Sequence, residues 1–304
     1  MWRGKPASPI NVRLRSNRFT VQAAAGAGAR LIRLRARIRI TTVPAAKKQE
    51  TGHMAVKAIT FDLWDTLIDD ESDEPKRAAQ GLRSKFDERR HLLWDALNAV
   101  KPIDMAQVEL AYATADAAFR TVWHDQHITW EIADRLDVVL RGLGRSLPDD
   151  VFAKIVKGHE EMEVDIPPDP IAGAKEALEE LAGRYKLCIV SDTIVSPGRC
   201  LRELLEVHGL KQYFSGFAFS DEVGHSKPHR SMFDSAASQM DCELPEMIHI
   251  GDRDHNDVKG PQALGMKAVL FIAKRAHDKD TTSAEAICAS HAELPATVDK
   301  VAGR

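Results

Sequence analysis

Short apolar runs alternate with amphipathic stretches along residues 56–272. The runs have the length and composition of buried strands, and the stretches repeat their apolar residues at helical spacing. The predicted strands are 56–61, 187–190, 217–219, 247–250 and 267–272. The predicted helices between them are 172–182, 197–208, 231–240 and 258–264. Such alternation predicts an α/β fold, in which a Rossmann-like parallel sheet forms the core and helices cover both faces.

One long helical block interrupts this alternation after the first strand. Its apolar residues recur at three- to seven-residue intervals, as at Leu82, Phe86 and Leu93. Helix N-caps are predicted at Asp104 and Thr129. We therefore expect a helical cap inserted into the core. The predicted division is an arm at 1–53, a core at 54–69 and 169–304, and a helical cap at 70–168.

The charge of the chain is divided unevenly. The 304 residues carry a formal charge of −3, but residues 1–49 hold nine arginines, three lysines and no carboxylate, which is +12. The remaining residues therefore carry −15. An acidic body argues against nucleic-acid binding by that part of the chain.

The basic arm at 1–53 has three interpretations. Its composition is typical of an organelle transit peptide, although residues 31–40 alternate with a period of two and do not form an amphipathic helical pattern. It would also suit a tail for an anionic partner. We favour a third interpretation, in which the arm is disordered or an upstream extension and the natural start is Met54.

Other classes of protein are excluded by run length and cysteine usage. The apolar runs are far shorter than the roughly 20 residues that span a bilayer, so no membrane partner is expected. The four cysteines are scattered and form no metal-ligand pair. A reducing, cytoplasmic location fits this pattern best. Oligomeric state is not indicated.

Unusual polar residues fall where the predicted strands end. They lie in four segments, at residues 61–67, 189–193, 224–228 and 250–257. Each segment alone has an ordinary explanation as a turn, a helix cap or a solvated loop. Ligands of parallel sheets bind beyond the carboxyl ends of the strands, so together the four segments are expected to converge on one site.

Convergence of these segments predicts a specific chemistry. Asp62 beside Asp252 or Asp257 places like charges together, which is costly unless a cation lies between them. Carboxylate oxygens without His or Cys indicate Mg²⁺. A nearby lysine and hydroxyl would hold the remaining oxygens of a phosphate. A carboxylate is then available as the nucleophile toward phosphorus, forming an aspartyl-phosphate.

These segments resemble the four motifs of the haloacid dehalogenase (HAD) superfamily. The motifs are Asp62-Leu-Trp-Asp-Thr66, Ser191, Lys227-Pro228, and Gly251-Asp252 with Asp257, and the resemblance covers residues 55–300. It implies that Asp62 is the nucleophile and that Lys227 neutralises charge on it and on the transferring group. It also implies that Ser191 and Thr66 contact the phosphoryl group or order its loop. By the same resemblance, Mg²⁺ is held by Asp62, the backbone carbonyl of Trp64, Asp252 and Asp257.

Trp64 departs from the phosphatase pattern, in which a second Asp acts as general acid and base at this position. The 2-haloacid dehalogenases carry an aromatic residue there, but they need no metal and lack the Gly-Asp of the last motif. Because Gly251 and Asp252 are present, we predict a Mg²⁺-dependent phosphatase of a small phosphorylated metabolite. Two alternatives stay open: carbon–halogen hydrolysis, and a catalytically weak member that binds a phosphorylated ligand or a partner.

The missing acid has several candidate replacements in the cap. His91, His124 and His127 are considered because histidine titrates near neutral pH. Trp123 and Trp130 are expected to belong to the cap core and not to a substrate platform.

Overall fold

The computed structural model describes residues 55–304, and its central layer is one parallel sheet. Within these residues the strands are β1 (Ala58–Phe61), β2 (Lys186–Ser191), β3 (Gly216–Phe219), β4 (Met247–Gly251), β5 (Lys267–Phe271) and β6 (Ala286–Cys288). Their order in the sheet is β3-β2-β1-β4-β5-β6. The predicted α/β fold class is confirmed. The short strand β6 was not predicted, because three residues are too few for a recognisable pattern.

The sheet is buried on both faces, which explains the near-continuous apolar sequence of its strands. On β1, Ile59 and Phe61 pack into the cluster on one face, whereas Ala58 packs into the cluster on the other. Cys188 and Val190 of β2 join the second cluster. The alternation of side chains along each strand therefore supplies a core on each face of the sheet.

Helices of the core cover this sheet. They are α7 (Ala174–Ala182), α8 (Gly198–Val207), α9 (Ser220–Val223), α10 (Arg230–Met240), α11 (Gly260–Ala263) and α12 (Leu294–Ala302). The helix predicted at 258–264 is in fact two elements, since a π-helical turn at Asp254–Lys259 precedes the short helix α11.

Six helices lie between β1 and β2, in the interval of the predicted cap. We call them the helical insertion: α1 (Glu74–Ala79), α2 (Lys85–Val100), α3 (Met105–Gln126), α4 (Ile132–Gly142), α5 (Asp149–Glu160) and α6 (Met162–Asp165). Four of them, α2, α3, α4 and α5, share an apolar cluster of their own, to which α2 contributes Leu93 and α4 contributes Leu136. The exact boundaries of arm, core and cap stay a prediction.

Two local expectations for the helical insertion were wrong. Leu82 and Phe86 are exposed, at 46% and 61%, and only Leu93 of that periodic set is buried. Thr129 is not an N-cap, since α4 begins at Ile132. Its hydroxyl instead forms hydrogen bonds with those of Ser220 and Ser226 in the core. The Thr129 hydroxyl, which the local pattern assigned to a helix end, is therefore engaged in tertiary hydrogen bonds.

No helix between residues 55 and 304 is long and apolar enough to cross a membrane. The predicted basic arm at 1–53 lies outside the described residues.

Candidate active site

Asp62 follows β1 at the centre of the sheet's carboxyl edge. Its backbone N–H donates to the carbonyl of Ile250 at 2.8 Å, so pairing with β4 continues up to this residue. The chain then makes a short loop that is closed by a bridge between Trp64 and Ile68. The order of the strands reverses at β1, and such a switch point is where parallel sheets bind ligands.

Glycine at the end of β4 makes room for two carboxylates. A Cβ on Gly251 would lie 2.4 Å from Cγ of Asp257, so a side chain there would displace that carboxylate. Asp257 belongs to the π-helical turn, and its Oδ2 accepts from the backbone N–H of Arg253 at 3.0 Å. Asp252 lies between the glycine and this turn. The tight backbone therefore brings Asp252 and Asp257 to the same end of β4.

Lys227 connects the ends of three strands. Its Nζ donates to Oδ1 of Asp62 at 2.6 Å and to Oδ1 of Asp257 at 2.7 Å. Its backbone N–H donates to Oδ1 of Asp192, which follows β2, at 2.8 Å. The side chain of Lys227 is buried, with 3% exposed. It is therefore fixed between two carboxylates and cannot be a solvated surface lysine.

His249 supports Asp257 from below. It is fully buried in β4, and its Nε2 lies 3.1 Å from Oδ1 of Asp257. Its Nδ1 lies 2.7 Å from Oγ1 of Thr60. Burial lowers the pKa of His249, so the ring is neutral near pH 7. In the neutral ring, one nitrogen carries the proton and the other accepts. If the Thr60 hydroxyl donates to Nδ1, the proton lies on Nε2, which then donates to Asp257.

The carboxylates of Asp62, Asp252 and Asp257 form a compact buried group. One oxygen from each lies within 4.8 Å of the others. Both oxygens of Asp252 are buried and have no hydrogen-bond donor among the described residues. Buried carboxylate oxygens without a donor are energetically costly. Three carboxylates this close together suit a hard divalent cation, which would bind their oxygens. The donor set therefore fits the predicted Mg²⁺.

The pKa values reflect this crowding. Burial and then the neighbouring charges of Asp62 and Asp257 raise the pKa of Asp252 to about 8. Burial also raises the pKa of Asp62, although the charge of Lys227 acts against it. Burial also acts to raise the pKa of Asp257. The charge of Lys227 and the hydrogen bond from His249 outweigh this effect and hold the pKa of Asp257 low. Burial disfavours the ammonium of Lys227, but its carboxylate neighbours raise the pKa of this lysine.

A small cavity of about 50 Å³ opens onto the nucleophile candidate. Its wall contains Asp62, Trp64, Lys227 and Asp257 from the predicted set. The other residues of the wall are Trp123, Asp192, Ile194, Arg253 and Asn256.

Three predicted residues lie outside that wall: Asp252, which belongs to the buried carboxylate group, Ser191 and Thr66. Ser191 is fully buried at the end of β2, and its Oγ reaches only the carbonyl of Asp192 at 3.5 Å. Thr66 is also fully buried, and its Oγ1 has no hydrogen-bond partner among the described residues. Their assignment to the phosphoryl group stays a prediction.

Asp192 is the most informative residue that sequence reasoning missed. It lies in the cavity wall beside Lys227, and burial raises its pKa to about 7. A carboxyl group with this pKa can exchange a proton near neutral pH. Its position directly after Ser191, at the end of a strand, was a signal that could have found it. Arg253 lies directly after Asp252 at the end of another strand, so the same signal could have found it.

The aromatic and histidine candidates fall differently than expected. His91, His124 and His127 do not lie in the wall of the small cavity. Trp123 does lie there, which corrects its assignment to the cap core. Trp130 packs near Phe119, with ring centroids 6.1 Å apart.

Comparison with known proteins assigns this chain to a family. The model of haloacid dehalogenase-like hydrolases matches residues 56–265, which is more than half of the chain. The chain therefore belongs to the haloacid dehalogenase-like hydrolases, and the predicted family is confirmed. It is a hydrolase.

Two phosphatases of known name resemble this chain. Glyceraldehyde 3-phosphate phosphatase of Pyrococcus abyssi is 26% identical over 220 residues, which cover 71% of this chain and 81% of that protein. A solved HAD phosphatase from Thermococcus onnurineus has a TM-score of 0.55 and 20% identity, over 80% of this chain and 98% of that one.

A dehalogenase shares the same fold. The solved 2-haloacid dehalogenase of Pseudomonas syringae pv. Tomato DC3000 has a TM-score of 0.50 and 18% identity, over 81% of this chain and 99% of that one. At such identities the two solved structures establish the common fold and do not distinguish between the two chemistries.

Proposed function

We propose that this protein is a Mg²⁺-dependent phosphatase that hydrolyses a small phosphorylated metabolite through an aspartyl-phosphate on Asp62. The observation that carries this proposal is the buried group of Asp62, Asp252 and Asp257 with Lys227 hydrogen-bonded to two of its members. Both Asp252 oxygens lack a donor among residues 55–304, which favours a cation-dependent reaction over metal-free carbon–halogen hydrolysis. The phosphatase relative from Pyrococcus abyssi supports the same class of substrate.

In this proposal, Asp62 is the nucleophile. An Oδ–P bond forms as the bond from phosphorus to the leaving oxygen breaks, and the alcohol departs with a proton. Water then attacks the phosphorus, which releases inorganic phosphate and regenerates the carboxylate. Lys227 orients Asp62 through its 2.6 Å hydrogen bond and lowers the negative charge that an incoming phosphate meets.

The proton of each step needs a group that titrates near neutral pH. Asp192 lies in the same cavity wall, and its pKa of about 7 suits it to give a proton to the leaving oxygen and to take one from water. Arg253, in the same wall, supplies a further positive charge for the phosphoryl oxygens.

Asp62, Asp252, Asp257 and the backbone carbonyl of Trp64 would hold the Mg²⁺. The ion would offset the charge of the carboxylates and of the phosphate in the transition state.

The test is hydrolysis of p-nitrophenyl phosphate and of a panel of phosphorylated metabolites, with Mg²⁺ and with EDTA. Asp62→Asn is expected to lose turnover by at least about a thousandfold, because it removes the nucleophile. Asp65→Asn is the matched control, since Asp65 lies in the same loop but outside the cavity wall. It is expected to keep its activity.

Each competing function has its own result. Metal-independent release of chloride from 2-chloropropionate, abolished by Asp62→Asn, would assign carbon–halogen hydrolysis instead. Binding of Mg²⁺ and phosphate without turnover of any ester would assign a binding member of the family.

A further inference from the structure

A second, larger cavity adjoins the one at Asp62. It has a volume of about 380 Å³ and lies between the helical insertion and the loop after β2. Trp64, Trp123, Ile194 and Arg253 belong to the walls of both cavities. A phosphoryl group at Asp62 would therefore direct the rest of its substrate into the larger cavity.

The wall of the larger cavity is rich in charge, and most of that charge is already paired. Asp116 lies 2.6 Å from a guanidinium nitrogen of Arg135. Glu163 lies 2.7 Å from Arg89 and 3.6 Å from Lys85. These pairs neutralise one another and leave little net charge for a ligand.

Arg120 is the exception among the cations of this wall. It lies on α3, one helical turn before Trp123, and no carboxylate of residues 55–304 lies within 4.0 Å of it. Arg253, at the junction of the two cavities, lies 3.9 Å from Asp252, a carboxylate of the proposed metal site. Among the described residues, Arg120 is therefore the cation of the larger cavity's wall that has no carboxylate within 4.0 Å.

The carboxylates without a close cation do not cancel this excess. Asp70 lies beside Lys85, whose ammonium donates to the Asp70 carbonyl at 3.1 Å, and burial raises the Asp70 pKa to about 6. Glu71, like Arg120, is exposed to solvent, and the five cations of the wall outnumber its four carboxylates by one.

The unpaired buried atoms of the wall are all donors. They are Nε1 of Trp123, Nε of Arg89 and Nε of Arg135, and none of them has an acceptor among the described residues. A buried donor without a partner costs about 1–3 kcal/mol, so such a wall favours a ligand with acceptor oxygens.

We propose that the leaving group of the substrate carries a second anionic group, a carboxylate or a phosphate, and that Arg120 binds it in the larger cavity beside Trp123. This inference rests on the proposed phosphatase function and adds the class of substrate to it. Arg253 lies between the two anions and contributes to the attraction of both. Charge-assisted hydrogen bonds from a guanidinium are among the strongest in proteins and give geometric specificity to such recognition.

The experiment compares pairs of esters that differ only in the second anion. One pair is 3-phosphoglycerate and glycerol 3-phosphate, which tests a carboxylate. The other is propane-1,3-diol bisphosphate and its monophosphate, which tests a phosphate. In the wild-type protein the anionic member of at least one pair is expected to have a kcat/KM about tenfold or more above its partner. The pair that shows this preference identifies the anion.

Arg120→Gln is expected to reduce that ratio by about tenfold, because it removes the charge and the guanidinium donors and keeps a polar side chain. Arg141→Gln is the matched control, since Arg141 is an exposed arginine of α4 outside both cavities, with 80% of its side chain exposed. It is expected to leave the ratio unchanged. A ratio near one in the wild type, or a ratio that Arg120→Gln does not alter, would overturn the inference.

Failure of the proposed function has a different signature. In that case no ester, including p-nitrophenyl phosphate, is turned over faster by the wild type than by Asp62→Asn. Calorimetric binding of the same four esters to the wild type with Mg²⁺ then decides the inference. A preference for the anionic esters that Arg120→Gln removes would support it, and equal binding within both pairs would overturn it.

Discussion

Trp64 occupies the position from which a second carboxyl group would serve the reaction. Its side chain lies in the wall of the small cavity, next to the candidate nucleophile Asp62. Asp192 lies in the same wall with a pKa of about 7, and it approaches the site from a different strand. If the proposed phosphatase mechanism holds, we expect the identity of residue 64 to influence how much the reaction depends on the acidity of the leaving group.

Trp64→Asp is predicted to increase the hydrolysis of glycerol 3-phosphate, an ester with a poor leaving group. A general acid contributes up to about 10²–10⁴ in rate, and a gain of at least tenfold is expected. p-Nitrophenyl phosphate needs no protonation of its leaving group and should gain far less. Trp64→Asn is the control, because it opens the same space without a titratable proton. Equal gains in Trp64→Asn and Trp64→Asp would show that space and not proton transfer is limiting.

His159 gives a prediction about pH and stability. It is fully buried in α5, with Nδ1 2.7 Å from the carbonyl of Ile155, and burial lowers its pKa to about 4. In the unfolded chain a histidine binds a proton below about pH 6.5, whereas the folded His159 binds one only near pH 4. The free energy of unfolding should therefore fall by about 3 kcal/mol between these pH values.

Urea denaturation from pH 7 to pH 4 measures this effect. His159→Gln is expected to flatten the decline, because glutamine has no proton to gain. His277→Gln changes an exposed histidine and should keep the wild-type slope. A slope that His159→Gln leaves unaltered would assign the acid sensitivity to other groups.

At the level of single elements, local pattern located the strands well and the helix ends less well. β1, β2, β4 and β5 are buried on both faces, so their apolar runs stand out in the sequence. Thr129 was misassigned because its hydroxyl is engaged by two serines of the core, far away in the chain. The π-helical turn before α11 was not predicted because no periodic signal distinguishes it from an ordinary helix.

The junction of β4 and this turn is predicted to be sensitive to a single methyl group. Gly251→Ala would place a Cβ 2.4 Å from Cγ of Asp257, so the carboxylate must move. Overpacking of this kind costs about 1–3 kcal/mol. We expect turnover to fall at least tenfold, together with weaker Mg²⁺ binding by calorimetry.

Gly142→Ala is the matched control for this substitution. A Cβ on Gly142 would meet nothing within 4 Å, and the residue lies at the end of α4. Its activity and Mg²⁺ affinity should equal those of the wild type. Wild-type kinetics and Mg²⁺ binding in Gly251→Ala would contradict the assignment of Asp257 to the site.

At the scale of the whole molecule, the three buried carboxylates of Asp62, Asp252 and Asp257 predict that Mg²⁺ raises the free energy of unfolding. Asp62, Asp252 and Asp257 repel one another inside the fold, and a cation bound to the folded state alone relieves this repulsion. At a hundred times its dissociation constant such an ion adds about 2.7 kcal/mol to the free energy of unfolding. The Tm should therefore rise with Mg²⁺ and not with NaCl at the same ionic strength.

Asp252→Asn tests where the ion binds. Without Mg²⁺ it is expected to have a higher Tm than the wild type at pH 9, above the raised pKa of Asp252, because one of the repelling charges is then gone. Its rise in Tm with Mg²⁺ should be much smaller than that of the wild type. Asp137→Asn changes a half-buried carboxylate of α4, far along the chain from the site and paired with Arg141, and should respond to Mg²⁺ as the wild type does. A full Mg²⁺-induced rise in Asp252→Asn would place the ion elsewhere.

The net charge of −3 combines a basic arm with an acidic body, and the chemistry lies in the body. Part of the body's charge is the buried carboxylate group that a bound cation would offset. The arm at 1–53 lies outside the described residues, so its three interpretations stay predictions.

The sequence by itself determined the α/β fold class, the interval of the helical insertion, and the convergence of Asp62, Lys227, Asp252 and Asp257. It could do so because strand ends are marked locally and parallel strands place those ends along one edge. The tertiary structure alone decided that Asp192 and Trp123 belong to the cavity wall. It also showed that His249 lies beside Asp257 and that no carboxylate of residues 55–304 lies within 4.0 Å of Arg120. These features depend on which side chains meet across distant segments, and no local periodicity encodes such contacts.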